Sequence, residues 1–188
     1  MRRQLPQLNL TEQIEHILRD LCAAIPEFAH IDPRRILVCM AHTRGTRAGG
    51  TFAKIVPMRF ANATPFKVVG GVTHALPQIP TPHGEILYLI YVYFPRFFEQ
   101  PFERRLLTLI HELYHIGPAF DGTIRRVGGG AHGASRERFN ANLQPLIEHY
   151  QAVTPGADLL VLRQDLKLLA QQYALVGRAL SIPKAIRL

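Results

Sequence analysis

The order of helical and strand-like segments predicts a fold of the α+β class. An amphipathic helix opens the chain, apolar segments rich in β-branched and aromatic residues follow, and helical periodicity returns in the second half. The 188 residues fit one domain, so we expect a single domain over residues 1–188. Hydrophobic residues make up 47% of the chain, which is typical of a globular protein rather than a disordered one.

The first half of the chain contains one predicted helix and four predicted strands. Apolar residues recur at helical spacing between Leu10 and Leu21, and the pattern stops before Pro26. The clearest strand is the run EILYLIYVYF at residues 85–94. Shorter strands are predicted at residues 35–42, 51–60 and 65–72. Pro57 cannot donate a ladder hydrogen bond, which places the far end of the second of these at a sheet edge.

The second half is predicted to be mainly helical. One helix covers residues 101–116, where an apolar stripe alternates with polar positions, and Gly117 and Pro118 end it. Residues 119–138 are predicted to be a glycine-rich loop. Two helices then follow, one at residues 136–151 with an interruption near Pro145, and one that starts at Thr154 as its N-cap and runs toward Gly177.

The predicted helix at residues 101–116 carries an H-E-x-x-H motif, His111-Glu112-Leu113-Tyr114-His115. On a helix, the two histidines lie one turn apart on the same face, so both imidazoles can reach one Zn²⁺ ion. The glutamate between them is then placed to act on a water bound to the metal. The motif therefore predicts a hydrolytic zinc site with His111 and His115 as ligands and Glu112 as the general base.

A hydrolytic zinc site needs a third protein ligand, and several downstream residues are candidates. His132 is favoured, because flanking glycines would let its loop fold back over the metal. Asp121 is the next candidate, since it stands where the extended metzincin pattern has its third ligand, although Pro118 replaces the glycine of that pattern. Glu137 and His149 complete the set of alternatives.

The expected reaction also needs a group that stabilises the negative oxygen of the tetrahedral intermediate. The candidates are Tyr150, His149, Arg125 and Arg126. Asp121 could instead orient a ligand imidazole from outside the coordination sphere. The strand at residues 85–94 directly precedes the motif helix, and as an edge strand it could bind an extended polypeptide by β-augmentation.

The net charge indicates which partners the protein could bind, and the cysteine content indicates the redox state of its cellular compartment. The formal net charge is +8 and the pI is about 10.0, which favours acidic partners, namely nucleic acid, a membrane surface or acidic proteins. Cys22 and Cys39 lie in apolar surroundings and are expected to be buried free thiols, as in a reducing compartment. No apolar signal sequence or run long enough to span a membrane is seen, so we expect a cytoplasmic protein with no membrane partner.

The chain resembles the zincin metallopeptidases, and among them the compact SprT-like and phage-type metallopeptidases. The resemblance rests on LLTLIHELYHI, on GPAFDGxxRR at residues 117–126 and on the glycine-flanked His132, and it covers roughly residues 85–140. It implies a small zincin-like domain with an N-terminal helix, a mixed or antiparallel sheet of about three to four strands, an active-site helix and C-terminal helices. It also implies zinc held by His111, His115 and a third ligand, with Glu112 catalytic. The resemblance to SprT-like relatives further implies a polypeptide substrate that could be a DNA-bound protein, which would suit the net charge of +8.

Two other functions account for part of the sequence. The chain could be a basic nucleic-acid-associated protein with a structural or vestigial zinc site. This interpretation rests on arginines clustered at positions Arg44, Arg47, Arg104, Arg105, Arg125, Arg126, Arg136 and Arg138. It could also be a metal hydrolase with a non-peptide substrate. Neither alternative gives the H-E-x-x-H motif and its surroundings as direct a role as the zinc-dependent peptidase does.

Overall fold

A computed structural model describes residues 5–42, 50–125 and 136–188, without the side chains of residues 136–138. Its mixture of helices and strands confirms the predicted α+β class. The strands are β1 Gln7–Asn9, β2 Ile36–His42, β3 Ala53–Pro57, β4 Phe66–Val69, β5 Val72–Ala75, β6 Pro80–Thr81, β7 Gly84–Glu85, β8 Tyr88–Phe94, β9 Ala174–Val176 and β10 Ile186–Arg187. The helices are α1 Leu10–Ala24, α2 Phe102–Tyr114, α3 Arg136–Ala141, α4 Gln144–Val153, α5 Leu160–Arg163 and α6 Leu166–Gln172.

Helix α1 forms where the sequence predicts it. Asn9 caps its first turn, because the side-chain oxygen accepts hydrogen bonds from the backbone N–H groups of Thr11 at 3.2 Å and Glu12 at 3.4 Å. The apolar face of the helix is buried, and Ile14 and Leu21 are fully inaccessible to solvent. The helix ends before Pro26, which begins a short 3₁₀ turn.

The central sheet has three strands in the order β2–β8–β3. Strand β8 pairs in parallel with β2 and antiparallel with β3, so the sheet is mixed. The expectation that residues 85–94 form an edge strand is therefore wrong, because both sides of β8 are hydrogen-bonded to neighbours. Strand β3 is one of the two edges, in agreement with the position of Pro57.

Both faces of β8 are covered by apolar side chains. Tyr88, Ile90 and Val92 point into the main core with α1 and α2, whereas Leu89 and Tyr91 belong to a smaller core on the opposite face. Such two-sided burial produces the nearly continuous apolar run in the sequence. The same cores bury the two cysteines, and burial raises the pKa of the Cys22 thiol to about 12 and that of Cys39 to about 11. Both thiols are free, as expected.

Helix α2 packs its apolar stripe into the main core. Leu106, Leu109, Ile110 and Leu113 have no solvent exposure, so the position of the helix is tightly fixed. The helix is shorter than the predicted span of residues 101–116, but His115, which caps it, retains helical backbone angles of φ −68° and ψ −15°. The polar positions of the motif are consequently held on a rigid element.

Arg105 on α2 is buried and binds backbone carbonyls. Its guanidinium donates hydrogen bonds to the carbonyls of Phe98, Gln100, Val161, Leu162 and Gln164. Three of these acceptors lie in or just after the short helix α5, where carbonyls lack intrahelical donors. Burial lowers the pKa of this guanidinium from its usual value, and the nearby carboxylate of Asp165 acts in the opposite direction. Arg105 thus joins the segment before α2 to the end of α5.

The C-terminal region differs from its prediction in one respect. The helix expected at residues 136–151 is present as α3 and α4, with the break just before Pro145. The helix expected from Thr154 toward Gly177 is replaced by α5, α6 and β9. Thr154 caps the end of α4 rather than the start of a helix, and its hydroxyl donates to the carbonyl of Tyr150 at 2.6 Å. Asp165 provides the N-cap of α6 instead.

Three further sheets in the described residues were not predicted as such. Strand β1 pairs in parallel with β9, β6 pairs with β7, and β4, β5 and β10 form a three-stranded antiparallel sheet. The residues predicted as one strand at 65–72 are β4, a turn and the start of β5. The segment after β9 joins α1 and β2, because Arg178 receives and donates hydrogen bonds to Thr11, Glu15, Val38 and Met40. None of the described helices has the length and apolar character needed to span a bilayer.

Candidate metal centre

The two histidines of the motif lie side by side at the end of α2. Their ring centroids are 4.8 Å apart and the ring planes meet at 76°. His115 is buried and His111 is half-buried. The one-turn spacing therefore brings the imidazoles together as the sequence predicts, at a distance from which both can approach one ion.

Glu112 is buried at the boundary between α2 and the central sheet. Only 7% of its surface is exposed, and its Oε2 accepts a hydrogen bond from the backbone N–H of Ile55 at 2.8 Å. Ile55 is in the middle of β3, and this N–H points away from β8 toward the free side of the strand. The carboxylate is therefore fixed at the outer edge of β3, a contact that no sequence pattern indicated.

Residues of helix α3 contact both histidines of the motif. The Oδ1 of Asn140 lies 2.7 Å from Nδ1 of His111. An amide oxygen only accepts, so Nδ1 carries the proton and Nε2 keeps the lone pair that a metal requires. Phe139 stacks on His115 with an interplanar angle of 20° and a centroid distance of 5.3 Å. Nothing in the sequence marked Phe139 or Asn140, because neither residue type belongs to a metal-ligand pattern.

We expect Asn140→Ala to weaken metal binding about 10- to 100-fold, because the tautomer and orientation of His111 are then no longer fixed. Asn140→Asp keeps an acceptor at this position and should bind metal at least as tightly as the wild type. Affinity can be measured by competition with a chromogenic chelator. The exposed Asn142 is a matched control, and Asn142→Ala should not change the affinity. Equal affinities for Asn140→Ala and the wild type would contradict this role.

The residues considered as a third ligand are not assembled around the histidines in the described parts of the chain. No cluster of three His, Cys, Asp or Glu side chains there could hold a metal ion. Asp121 accepts hydrogen bonds from the backbone N–H and hydroxyl of Thr123, which closes a local turn. His149 contacts the carbonyl of Ala24 at 3.2 Å. His132 and the side chain of Glu137 lie outside the described residues.

The segment that contains His132 is attached to the motif at both ends. The backbone N–H of Arg125 donates to the carbonyl of His115 at 2.7 Å. On the far side, Phe139 contacts both imidazoles. His132 is seven residues from each of these two attachments. Of the four candidates, His132 and Glu137 lie between these two attachments, and His132 is in the middle of the segment.

Of the candidates for stabilising a negative oxygen, only Arg125 is seen next to the motif in the described residues. Its guanidinium carbon lies 4.5 Å from the centre of the Tyr114 ring, and its Nη2 donates to the carbonyl of Ile116 at 3.3 Å. Tyr150 belongs to the main core, where burial raises the pKa of its hydroxyl. Arg126 lies outside the described residues.

A comparison with protein families assigns the chain. A family model described as "Putative phage metallopeptidase" matches residues 7–150, about three quarters of the sequence. The chain belongs to this family. The region matched by the phage metallopeptidase family runs from β1 into α4, and so includes the motif, β3 and Asn140. No curated protein and no solved structure gave a significant match.

Family membership supports the metallopeptidase part of the resemblance and a metal cofactor. It does not name the metal, the zincin clan or the SprT-like group.

Proposed function

We propose that the chain is a zinc-dependent peptidase in which His111 and His115 bind the metal and Glu112 is the general base. The observation that carries this proposal is the placement of two adjacent imidazoles beside a buried carboxylate at the free edge of a strand. A purely structural zinc site would not need that carboxylate. Structural sites are closed by four protein ligands, whereas a hydrolytic site keeps a position for water.

The donor set fits a zinc ion. Two neutral imidazoles are common zinc ligands, and the hydrogen bond from His111 to Asn140 leaves one ring nitrogen available. We propose His132 as the third ligand, because this imidazole is midway between the two points at which its segment contacts the motif. When bound, zinc lowers the pKa of a coordinated water and polarises a carbonyl group.

Glu112 would move the proton in this reaction. Its carboxylate accepts a proton from the attacking water as the oxygen adds to the scissile carbonyl carbon. The same carboxyl group then gives the proton to the leaving nitrogen when the C–N bond breaks. Burial among apolar residues of α2 and β3 keeps the carboxylate in one position, which favours both transfers.

The outer edge of β3 provides a binding site for an extended polypeptide. Strand β3 has a free side that adjoins Glu112, and an added strand would pair with its unpaired backbone groups. The substrate backbone would then run past the carboxylate and the two imidazoles. This assigns to β3 the substrate-binding role that the sequence suggested for residues 85–94.

The first test is the zinc content of the purified protein. We expect about one zinc per chain in the wild type and a loss of bound zinc in His111→Ala and His132→Ala. Asp121→Asn keeps the turn with Thr123 and should retain zinc. His149→Ala is a matched control, because this histidine contacts Ala24 and should not affect the metal. Absence of zinc in the wild type after reconstitution would overturn the proposal.

A further inference from the structure

The hairpin formed by β4 and β5 exposes aliphatic side chains next to its turn. A two-residue turn of Gly70 and Gly71 joins its strands, with φ values of +56° and +77°. Positive φ at both positions is typical of a type I′ turn, which glycine adopts without strain. A Cβ atom at either glycine would meet no described atom within 4 Å, so neither glycine is packed against the described parts of the chain.

Aliphatic side chains are exposed next to this turn. Val68 and Val69 precede the glycines and are exposed, and Val72 follows them and is half-buried. Leu188, directly after β10, donates its backbone N–H to the carbonyl of Thr73. Val68 is 65% exposed and Leu188 is 67% exposed. We call these four residues the hairpin tip. Exposed aliphatic groups clustered at one point on a surface usually indicate a contact site.

A row of basic side chains lies directly behind the hairpin tip. The strand register aligns Lys67 of β4 with His74 of β5 and Arg187 of β10. Lys67 is two residues behind Val69, which corresponds to about 7 Å along the strand. Lys67 and Arg187 are exposed, and neither forms an ion pair with a described residue. We call Lys67 and Arg187, which lie on either side of His74, the cationic row.

Strands β4, β5 and β10 contribute Lys67 and Arg187, and they lie within two longer segments that contain no Asp or Glu. Residues 33–84 contain seven Lys or Arg and no Asp or Glu, and residues 166–188 contain four and none. The other residues hold 11 Lys or Arg against 14 Asp or Glu, so these two segments account for the whole net charge of +8. The hairpin tip therefore lies in segments that contain no Asp or Glu side chain.

We propose that the hairpin tip and the cationic row bind an anionic lipid surface. An aliphatic tip can enter the boundary between headgroups and acyl chains, which lies about 5–10 Å deep. With the tip at that depth, the cationic row lies at the level of the headgroups, where each Lys or Arg adds attraction. Single-stranded nucleic acid is less suited, because bases stack on exposed aromatic rings. The rings of these three strands are Phe66, at the end of β4 away from the tip, and His74, which is half-buried.

This contact needs no membrane-spanning helix and does not depend on the proposed peptidase activity. It differs from the expectation of no membrane partner, which was based on the absence of an apolar span alone. A second copy of the chain that paired with β4 would bring the two Lys67 side chains near each other, which disfavours that occupant.

Sedimentation of the whole chain with lipid vesicles tests the proposal. We expect binding to vesicles of phosphatidylcholine with 30% phosphatidylserine, and little binding to phosphatidylcholine alone. Val68→Asp should lower the affinity more than about ten-fold, and Lys67→Gln about five-fold. Val153→Asp and Lys167→Gln are matched controls, because Val153 is 51% exposed on α4 and Lys167 is exposed on α6.

Two results would overturn the proposal. One is binding that is absent, independent of phosphatidylserine, or unchanged in Val68→Asp. The other is evidence for a different partner at this site, with vesicle binding absent. That partner would be a fluorescent single-stranded oligonucleotide that binds tightly, or a second copy of the chain seen as a dimer by light scattering, and in either case the interaction would be lost in Val68→Asp and Lys67→Gln. Unchanged zinc content and circular dichroism in the variants would show that they are folded.

Discussion

Replacement of Glu112 by glutamine is expected to lower the rate of peptide hydrolysis by about two to four orders of magnitude. The amide cannot take a proton from the attacking water, and it cannot return one to the leaving nitrogen. Its oxygen can still accept the hydrogen bond from Ile55, so the packing between α2 and β3 should be preserved. Steady-state hydrolysis of a fluorescently labelled, unfolded protein substrate, with zinc content measured on the same samples, checks this result.

Glu103 on the same helix provides the control for this substitution. It is exposed in the first turn of α2, and Glu103→Gln should hydrolyse the substrate at the wild-type rate. The expected pattern is full zinc content in both variants with activity lost only in Glu112→Gln. Wild-type activity in Glu112→Gln would remove Glu112 from the mechanism, although it would leave the metal centre intact.

Substitution of Arg105 by leucine is expected to reduce the free energy of unfolding by about 3 kcal/mol or more. Leucine removes the donors to five backbone carbonyls around α2 and α5, and those near the core would remain without partners. The free energy of unfolding of Arg105→Lys should lie between those of the wild type and Arg105→Leu, because an ammonium group has fewer N–H donors than the planar guanidinium. Urea unfolding followed by circular dichroism measures the difference.

Arg104 is the matched control for the stability prediction. It is adjacent to Arg105 on α2 but exposed, so Arg104→Leu should change the free energy of unfolding by less than about 0.5 kcal/mol. Equal stability of Arg105→Leu and the wild type would contradict this prediction. It would mean that water replaces the arginine at these carbonyls and that the hydrogen bonds between α2 and α5 do not contribute to the free energy of unfolding.

The sequence was sufficient to predict the elements that depend on a strong apolar period. Helix α1, strand β8 and helix α2 all bury continuous apolar stripes or runs, and each was placed within a few residues. Thr154 shows where this fails. A threonine followed by proline suits the start of a helix, but its hydroxyl binds the carbonyl of Tyr150 and ends α4 instead. Local capping residues have two such uses, and tertiary packing decides between them.

For the candidate site, the sequence predicted the residues that lie on one helix. The spacing of His111 and His115 determines that they share a face, whatever surrounds them. The partners that come from other elements could not be predicted in this way. The N–H of Ile55 and the amide of Asn140 reach the motif only through the packing of β3 and α3 against α2. Neither contact leaves a periodic signal in the sequence.

The parallel pairing of β1 with β9 has a consequence for how the chain folds. It joins Gln7–Asn9 to Ala174–Val176, and Arg178 adds hydrogen bonds to Thr11 and Val38 nearby. These contacts close a loop of more than 160 residues, which lowers the entropy of the chain. They are therefore expected to form only after the packing of most of the core compensates for that loss. We therefore expect a high contact order and slow folding. During synthesis, β1 would remain without its partner strand until residues 174–178 have left the ribosome.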